Sequence, residues 1–409
     1  MAEKIVITGM GTVNPLGNTV SETWEKAING VSGVGPITLF DPSDNLVKIA
    51  AEVKNLDTSS LLETRELRRR DRFEVLGAFA VAEALKDSGL EIKENNAARV
   101  GSIISAAIGG LTSMEEGIVT VHEEGTRRAS PFLIPMMMPN GAAGLAQIDH
   151  GGKGPALSVA SACASGQDGI GVAWMMLRAG MIDAAFAGGA EATVTQIGVS
   201  AFDRMQAMSR RTSGTPSPFD KNRDGFVIGE GAAVLILETE SHAKARGANI
   251  LAELAGYAAS ADAFHITAPH EEGAGGSQAI RDAVNNAGLN LEDVDYVNAH
   301  GTGTPLNDLS ETRALKSAFG EGAYDLAISS TKSMTGHMMG ATGALEAILC
   351  VLAIRNGVIP PTINYSEPDP ELDLEYIPNK ARELKVDVAI SNAFGFGGHN
   401  AVLVVKRYE

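Results

Sequence analysis

The sequence predicts a layered α/β fold. Short apolar runs of strand length alternate with helix-like segments along the whole chain. The hydrophobic fraction is 44% of 409 residues, enough for a large core, while aromatics supply only 5%, so the layers must pack mainly through Ala, Val, Ile, Leu and Met. A unit of strand, small-residue turn and helix also occurs twice, once in each half of the chain.

In chain order, residues 4–8 read as a strand: a β-branched run directly before Gly9. Residues 21–29 and 73–88 read as helices, and 100–105 as the next strand. Residues 156–160 form an apolar strand that ends in small residues and hands over to a helix at about 167–179. Strands follow at 184–187, 232–238 and 250–257, then a helix at 276–287, a strand at 296–298 and a helix at 309–319. Residues 326–329 are a strand that a Ser/Thr turn joins to a Gly/Ala-rich helix at 342–356, with Gly357 as its C-cap. Strands at 388–391 and 401–406 close the chain. The stretches 156–177 and 326–354 echo one another, which predicts two similar halves, 1–250 and 251–409.

A net charge of −17 argues against affinity for nucleic acid or an anionic membrane surface. Two cysteines give no disulfide framework. No signal peptide is expected, nor any apolar run of the ~18–20 residues that cross a bilayer, so a cytoplasmic protein without membrane insertion is the expectation.

Three stretches carry chemistry. Cys163, in Ser161-Ala162-Cys163-Ala164-Ser165, lies where a strand gives way to a helix. Unpaired N–H groups and the helix dipole there favour a thiolate, although an inert core cysteine also fits such a place. Cys350 sits in an apolar helical run and reads as core. His300 ends a strand and enters the turn Gly301-Thr302-Gly303-Thr304, and Lys332 and His337 bracket a second small-residue turn. A lysine in so apolar a stretch needs a partner, and Asp308 and Glu311 are the available acids. Phe394-Gly395-Phe396-Gly397-Gly398 can adopt backbone angles that bring N–H groups close to a ligand.

Together, in this order and across nearly the whole chain, these motifs resemble the β-ketoacyl-acyl carrier protein synthases of the thiolase superfamily, most closely the elongating synthase II type. The resemblance implies a thiolase-like α-β-α-β-α fold. It implies that Cys163 takes the acyl chain as a thioester, and that His300 and His337 stabilise the enolate formed when malonyl carrier protein loses CO₂. Lys332 and Glu311 match a buried ion pair beside the histidines. Phe396 matches a gating residue whose N–H, with that of Cys163, forms an oxyanion hole. Thr302 and Thr304 match positions that contact the phosphopantetheine arm, and Phe394 is placed beside the substrate. Ile108, Phe132 and Phe202 resemble acyl-pocket lining, with Ile108 at its far end.

The resemblance further implies acyl- and malonyl-loaded acyl carrier protein as partner, docked on Arg65, Arg68 and Arg69, and a homodimer. No metal or other cofactor is expected, since phosphopantetheine arrives on the carrier. His399 stands where Thr is usual in the family and is not counted as catalytic. A polyketide-type ketosynthase carries the same motifs, and a non-catalytic chain-length subunit is the further alternative, although such subunits typically lack the cysteine that this chain retains.

Overall fold

Residues 3–409 are described by a computed structural model. Ten strands pair edge to edge. In spatial order they are Ala327–Ser329, Tyr296–Asn298, Val388–Gly395, His399–Lys406, Ala252–Ala261, Ile5–Val13, Glu230–Thr239, Ala184–Ala192, Val100–Ser105 and Ala156–Leu157. Five come from the earlier part of the chain and five from the later part. Counted outward from the middle, both sets run first, fifth, fourth, second, third in chain order. In both, the outer three strands are parallel and the inner pairings antiparallel. The sets meet only where Val6 faces Glu253 and Ile7 faces Ala252.

Two helices fill the middle layer. Ser165–Arg178 and Thr342–Asn356 pack on one another and on strands of both sets. Arg72–Ser88 and Gly141–His150 cover the outside of one set. Ala274–Asn286, backed by Pro305–Phe319, covers the other. The apolar cores follow these layers. One lies around the middle helices, one under Phe73, Leu76 and Val81, and one around Ile280, Leu315 and Val402. This is the expected α-β-α-β-α order.

Thr342–Asn356 is buried on every side, which is why it shows no amphipathic stripe. With the turn before it, Met339–Asn356 is 18 residues long and apolar enough to cross a bilayer, contrary to the expectation that no run reaches that length. The fold buries 83% of the stretch, because a helix between two sheets needs an apolar surface all round. Gly357 caps the helix in the left-handed region, as expected. The strand expected at 156–160 shrinks to Ala156–Leu157, an exposed edge of the sheet.

Candidate active site

Both middle helices begin in a one-turn 3₁₀ segment whose first residue has positive φ: Ala162 at 51° before Ser165–Arg178, and Met339 at 46° before Thr342–Asn356. The first segment carries Cys163, and the second follows His337 directly. His300 arrives from the strand Tyr296–Asn298. The ligand-type atoms of Cys163, His300 and His337 lie within 4.8 Å of one another. The rings of His300 and His337 meet edge to face, centroids 5.4 Å apart. A cysteine and two imidazoles at this spacing are also donors of the type that a thiophilic divalent ion takes.

Cys163 is half-buried and opens onto a cavity of about 650 Å³. Burial pushes its thiol up to about 11, while the N–H groups of Phe396 and Cys163 itself and the Lys332 charge pull the other way. The expectation of a resting thiolate is therefore corrected. The helix end is present, but desolvation of a buried sulfur outweighs it. Gly395 is pressed so close that a Cβ there would stand 3.0 Å from the Cys163 nitrogen.

Burial and the Lys332 charge hold both imidazoles well below their usual range, so both rings are neutral. Nδ1 of His337 lies 3.0 Å from Oγ1 of Thr342. Nε2 of His337 and Nδ1 of His300 have no partner among the described residues.

Lys332 and Glu311 do not form the expected pair. Nζ of Lys332 lies 2.6 Å from Oε1 of Glu346, on the middle helix, with both side chains 1% exposed. Glu311 instead accepts the N–H groups of His300 at 2.8 Å and Gly301 at 2.7 Å, and Nδ2 of Asn392 at 3.1 Å. Its carboxylate is consumed in holding the histidine turn, so the lysine reaches the next acid. Burial pushes Glu311 and Glu346 each up to about 7. Asp308, the other acid expected near Lys332, accepts the N–H groups of Phe219 at 2.8 Å and Gly303 at 3.2 Å.

Ile108, Phe202, Thr302, Thr304, Phe394 and Phe396 all line the cavity. The Thr302 and Thr304 hydroxyls stand 2.9 Å apart, and the Phe394 ring packs toward His300. Phe132 does not join them. It precedes the short helix Leu133–Met137 on the surface, 36% exposed, with the Arg69 guanidinium over its ring at 4.9 Å. Arg65 and Arg68 are exposed and Arg69 half-buried, and none of the three borders the cavity. His399 is exposed.

The sequence reading missed the wall formed by Asp262, Thr267, Ala268, Pro269 and Asn400. Asn400 donates to Asp262 at 2.8 Å, and the Gly397 N–H donates to the Ile266 carbonyl at 2.8 Å, so this wall is stitched to the Phe396 turn. No motif marks residues 262–269. Asn400, beside the Gly397-Gly398 pair, was the available signal.

Comparison with known proteins finds relatives that match along the whole chain. The family description "Beta-ketoacyl synthase, N-terminal domain" matches residues 2–243, and "Beta-ketoacyl synthase, C-terminal domain" matches residues 251–366. The chain is 46% identical over 409 residues to 3-oxoacyl-[acyl-carrier-protein] synthase 2 of Staphylococcus aureus, covering 100% of this chain and 99% of the relative. It is also 46% identical, over 410 residues and the same shares, to the protein of that name from Synechocystis sp.. Among solved structures, a type II PKS acyl-carrier protein in complex with its ketosynthase bound to the hexaketide superposes with a TM-score of 0.92, at 31% identity and covering 100% of both chains.

Proposed function

The chain belongs to the β-ketoacyl synthase family, and on that premise we propose how its own residues divide the work of condensation. The reaction is that of a 3-oxoacyl-[acyl-carrier-protein] synthase of type 2, an acyltransferase of fatty acid elongation. One observation carries the residue assignment: one thiol and two neutral imidazoles converge on the wall of one cavity.

Sγ of Cys163 attacks the carrier thioester carbonyl. The phosphopantetheine thiol leaves and takes up the proton that the cysteine releases. A thiol pushed up to about 11 keeps its proton until a substrate arrives, so transfer and attack are coupled. Malonyl carrier protein then loses CO₂. The thioester oxygen of the resulting enolate is held by N–H donors of His300 and His337. Nδ1 of His337 is in contact with the Thr342 hydroxyl while Nε2 is unpartnered; the tautomer this role requires has the hydroxyl donating to Nδ1 and the ring hydrogen on Nε2. The enolate carbon attacks the acyl-Cys163 carbonyl, and the N–H groups of Cys163 and Phe396 hold the tetrahedral oxyanion. Collapse releases the 3-oxoacyl carrier and the Cys163 thiolate, which takes up a proton from solvent to restore the resting thiol. Neutral rings suit this role: a proton on either would have to be buried beside Lys332.

The finer assignments rest on the same reading. Phe396 gates the second substrate, Thr302 and Thr304 take the phosphopantetheine arm, and Ile108 and Phe202 bound the acyl chain. Arg65, Arg68 and Arg69 dock the acidic carrier; within the same run Arg70 is committed to Asp149 and Arg72 to Glu230. Two copies pair through the exposed edge Ala156–Leu157, beside the helix Gly141–His150, whose Ile148 is left 76% exposed. The halves are 1–250, with the nucleophile, and 251–409, with the histidines, supported by the repeated strand order. A cytoplasmic location fits a carrier-dependent elongation enzyme. The identity of 46% to synthases of fatty acid elongation, against 31% to the PKS ketosynthase, favours elongation over a polyketide role.

Release of CO₂ from malonyl carrier protein tests the histidine assignment. His300→Ala and His337→Ala should each slow it by roughly 10²–10³-fold while acylation of Cys163 stays within a few-fold of wild type. Unchanged CO₂ release in both variants would remove the histidines from decarboxylation.

A further inference from the structure

Glu191 ends the strand Ala184–Ala192 and is fully buried. Its hydrogen-bond partners are four main-chain N–H groups. Oε2 accepts from Ala107 at 2.6 Å and Gly340 at 3.2 Å, and Oε1 from Gly109 at 3.0 Å and Ile108 at 3.2 Å. These donors belong to two separate segments of the cavity wall. Ala107 and Ile108 line it directly; Gly340 sits in the turn Met339–Ala341, whose Met339 lines it too. Met339, Phe226, Phe202 and Ala107 share one apolar cluster. The two segments touch: a Cβ on Gly340 would lie 2.5 Å from the Ala107 nitrogen and 2.7 Å from Oε2 of Glu191. Beyond Ile108 the chain turns through Gly109, at φ +90°, into Gly110, a backbone that glycine alone adopts without strain.

We propose that Glu191 is a positioning residue that sets the depth of the acyl pocket, by clamping the Ile108 segment onto the Met339 turn. The proposal rests on reading the cavity as the acyl pocket. Hydrogen bonds from N–H to a carboxylate are about twice as strong as neutral ones, and several aimed at one buried anion form a rigid nest. A chain long enough to reach Ile108 must push that segment outward. The Gly109-Gly110 turn lets it swing, and the bonds from Ile108 and Gly109 resist. Glu191→Gln replaces one acceptor oxygen by an NH₂ group facing N–H donors, so the clamp loosens without loss of side-chain volume.

The test is kcat/KM for acylation by octanoyl and hexadecanoyl carrier protein in wild type, Glu191→Gln, Ile108→Ala and the double variant. The clamp predicts that Glu191→Gln raises the hexadecanoyl-to-octanoyl ratio by roughly tenfold, the scale of pocket-length discrimination. Ile108→Ala should do likewise, and the double variant should gain less than the product of the two. If Ile108→Ala shifts the ratio and Glu191→Gln lowers both substrates equally, the clamp is wrong while the pocket reading stands. If Ile108→Ala leaves the ratio unchanged, the pocket reading falls and the clamp with it. Should Glu191→Gln not fold, amide exchange in the wild-type protein decides. The amides of Ala107, Ile108, Gly109 and Gly340 should exchange slowly with octanoyl on Cys163 and faster, as a group, with hexadecanoyl. Equal protection in both forms overturns the clamp.

Discussion

Lys332 is sealed among the reacting groups; with burial, its charge holds both imidazoles down, and it partly offsets the upward push of burial on the Cys163 thiol. Removing it strands the Glu346 carboxylate in the core. Lys332→Met should therefore cost about 3–5 kcal/mol of stability, and adding Glu346→Leu should recover most of the loss. Glu311→Leu should recover none, since Glu311 holds the His300 and Gly301 backbone instead. Urea unfolding of the wild type and these three variants reads this cycle; rescue by Glu311→Leu would contradict the pairing. The reacting side chains were legible in the sequence because each is a rare residue type set among glycine and small residues. The pairing was not, because Glu346 lies on the middle helix beyond a turn whose path the sequence does not reveal. Phe132, expected as pocket lining from the family resemblance alone, stands on the surface of this chain under Arg69.

At the scale of elements, the first turn of the helix Ser165–Arg178 packs against the turn Met339–Ala341 with a glycine on each side. A Cβ on Gly166 would lie 2.5 Å from the Gly340 carbonyl oxygen. Gly→Ala inside a helix ordinarily stabilises by about 0.5–1 kcal/mol. Here the contact is with backbone, which cannot swing aside, and overpacking of about 1–3 kcal/mol should win. Gly166→Ala should therefore lower the urea midpoint; an unchanged or raised midpoint would mean that the turns do not meet as described. The buried strands were legible from their apolar runs, and the helix expected at 73–88 is observed as Arg72–Ser88, opened by a capping box of Asp71 and Glu74. The helices Leu111–Glu124, Gly141–His150 and Gln196–Arg204 were not. The first buries only Ser113 and leaves Ile118 and Val119 exposed, so its apolar residues mark no core face. The second is built on Gly and Ala and buries Ala142, Ala143 and Ala146, too small to give a clear periodic signal.

For the whole molecule, the repeated strand order explains why the echo between residues 156–177 and 326–354 was visible at all. Each half delivers a strand, a strained turn and a middle helix to the same place, so both turns kept a small-residue pattern. The cost is a set of buried acids. Burial pushes Glu74 up to about 8, and Glu191, Glu311 and Glu346 up to about 7, from 4.5. Their folded values exceed the unfolded ones, so the folded protein holds protons that the unfolded chain has released. Below about pH 6.5 the depressed His300 and His337 act in the opposite sense, since their rings take up protons only on unfolding, so the fall in stability should show as pH rises from about 6.5 to about 8 and level off above. Glu238, drawn down to about 2 by Arg246 and its other hydrogen bonds, acts in the opposite sense only below 4.5. Urea midpoints that rise through the neutral range would contradict this. The account as a whole turns on Cys163, and mass spectrometry of its peptide tests it most directly. With acyl and malonyl carrier proteins, the wild-type protein should carry the acyl group on Cys163 and release a chain two carbons longer, and Cys163→Ala should do neither. An unmodified Cys163 with every chain length, or extension that survives Cys163→Ala, would contradict it.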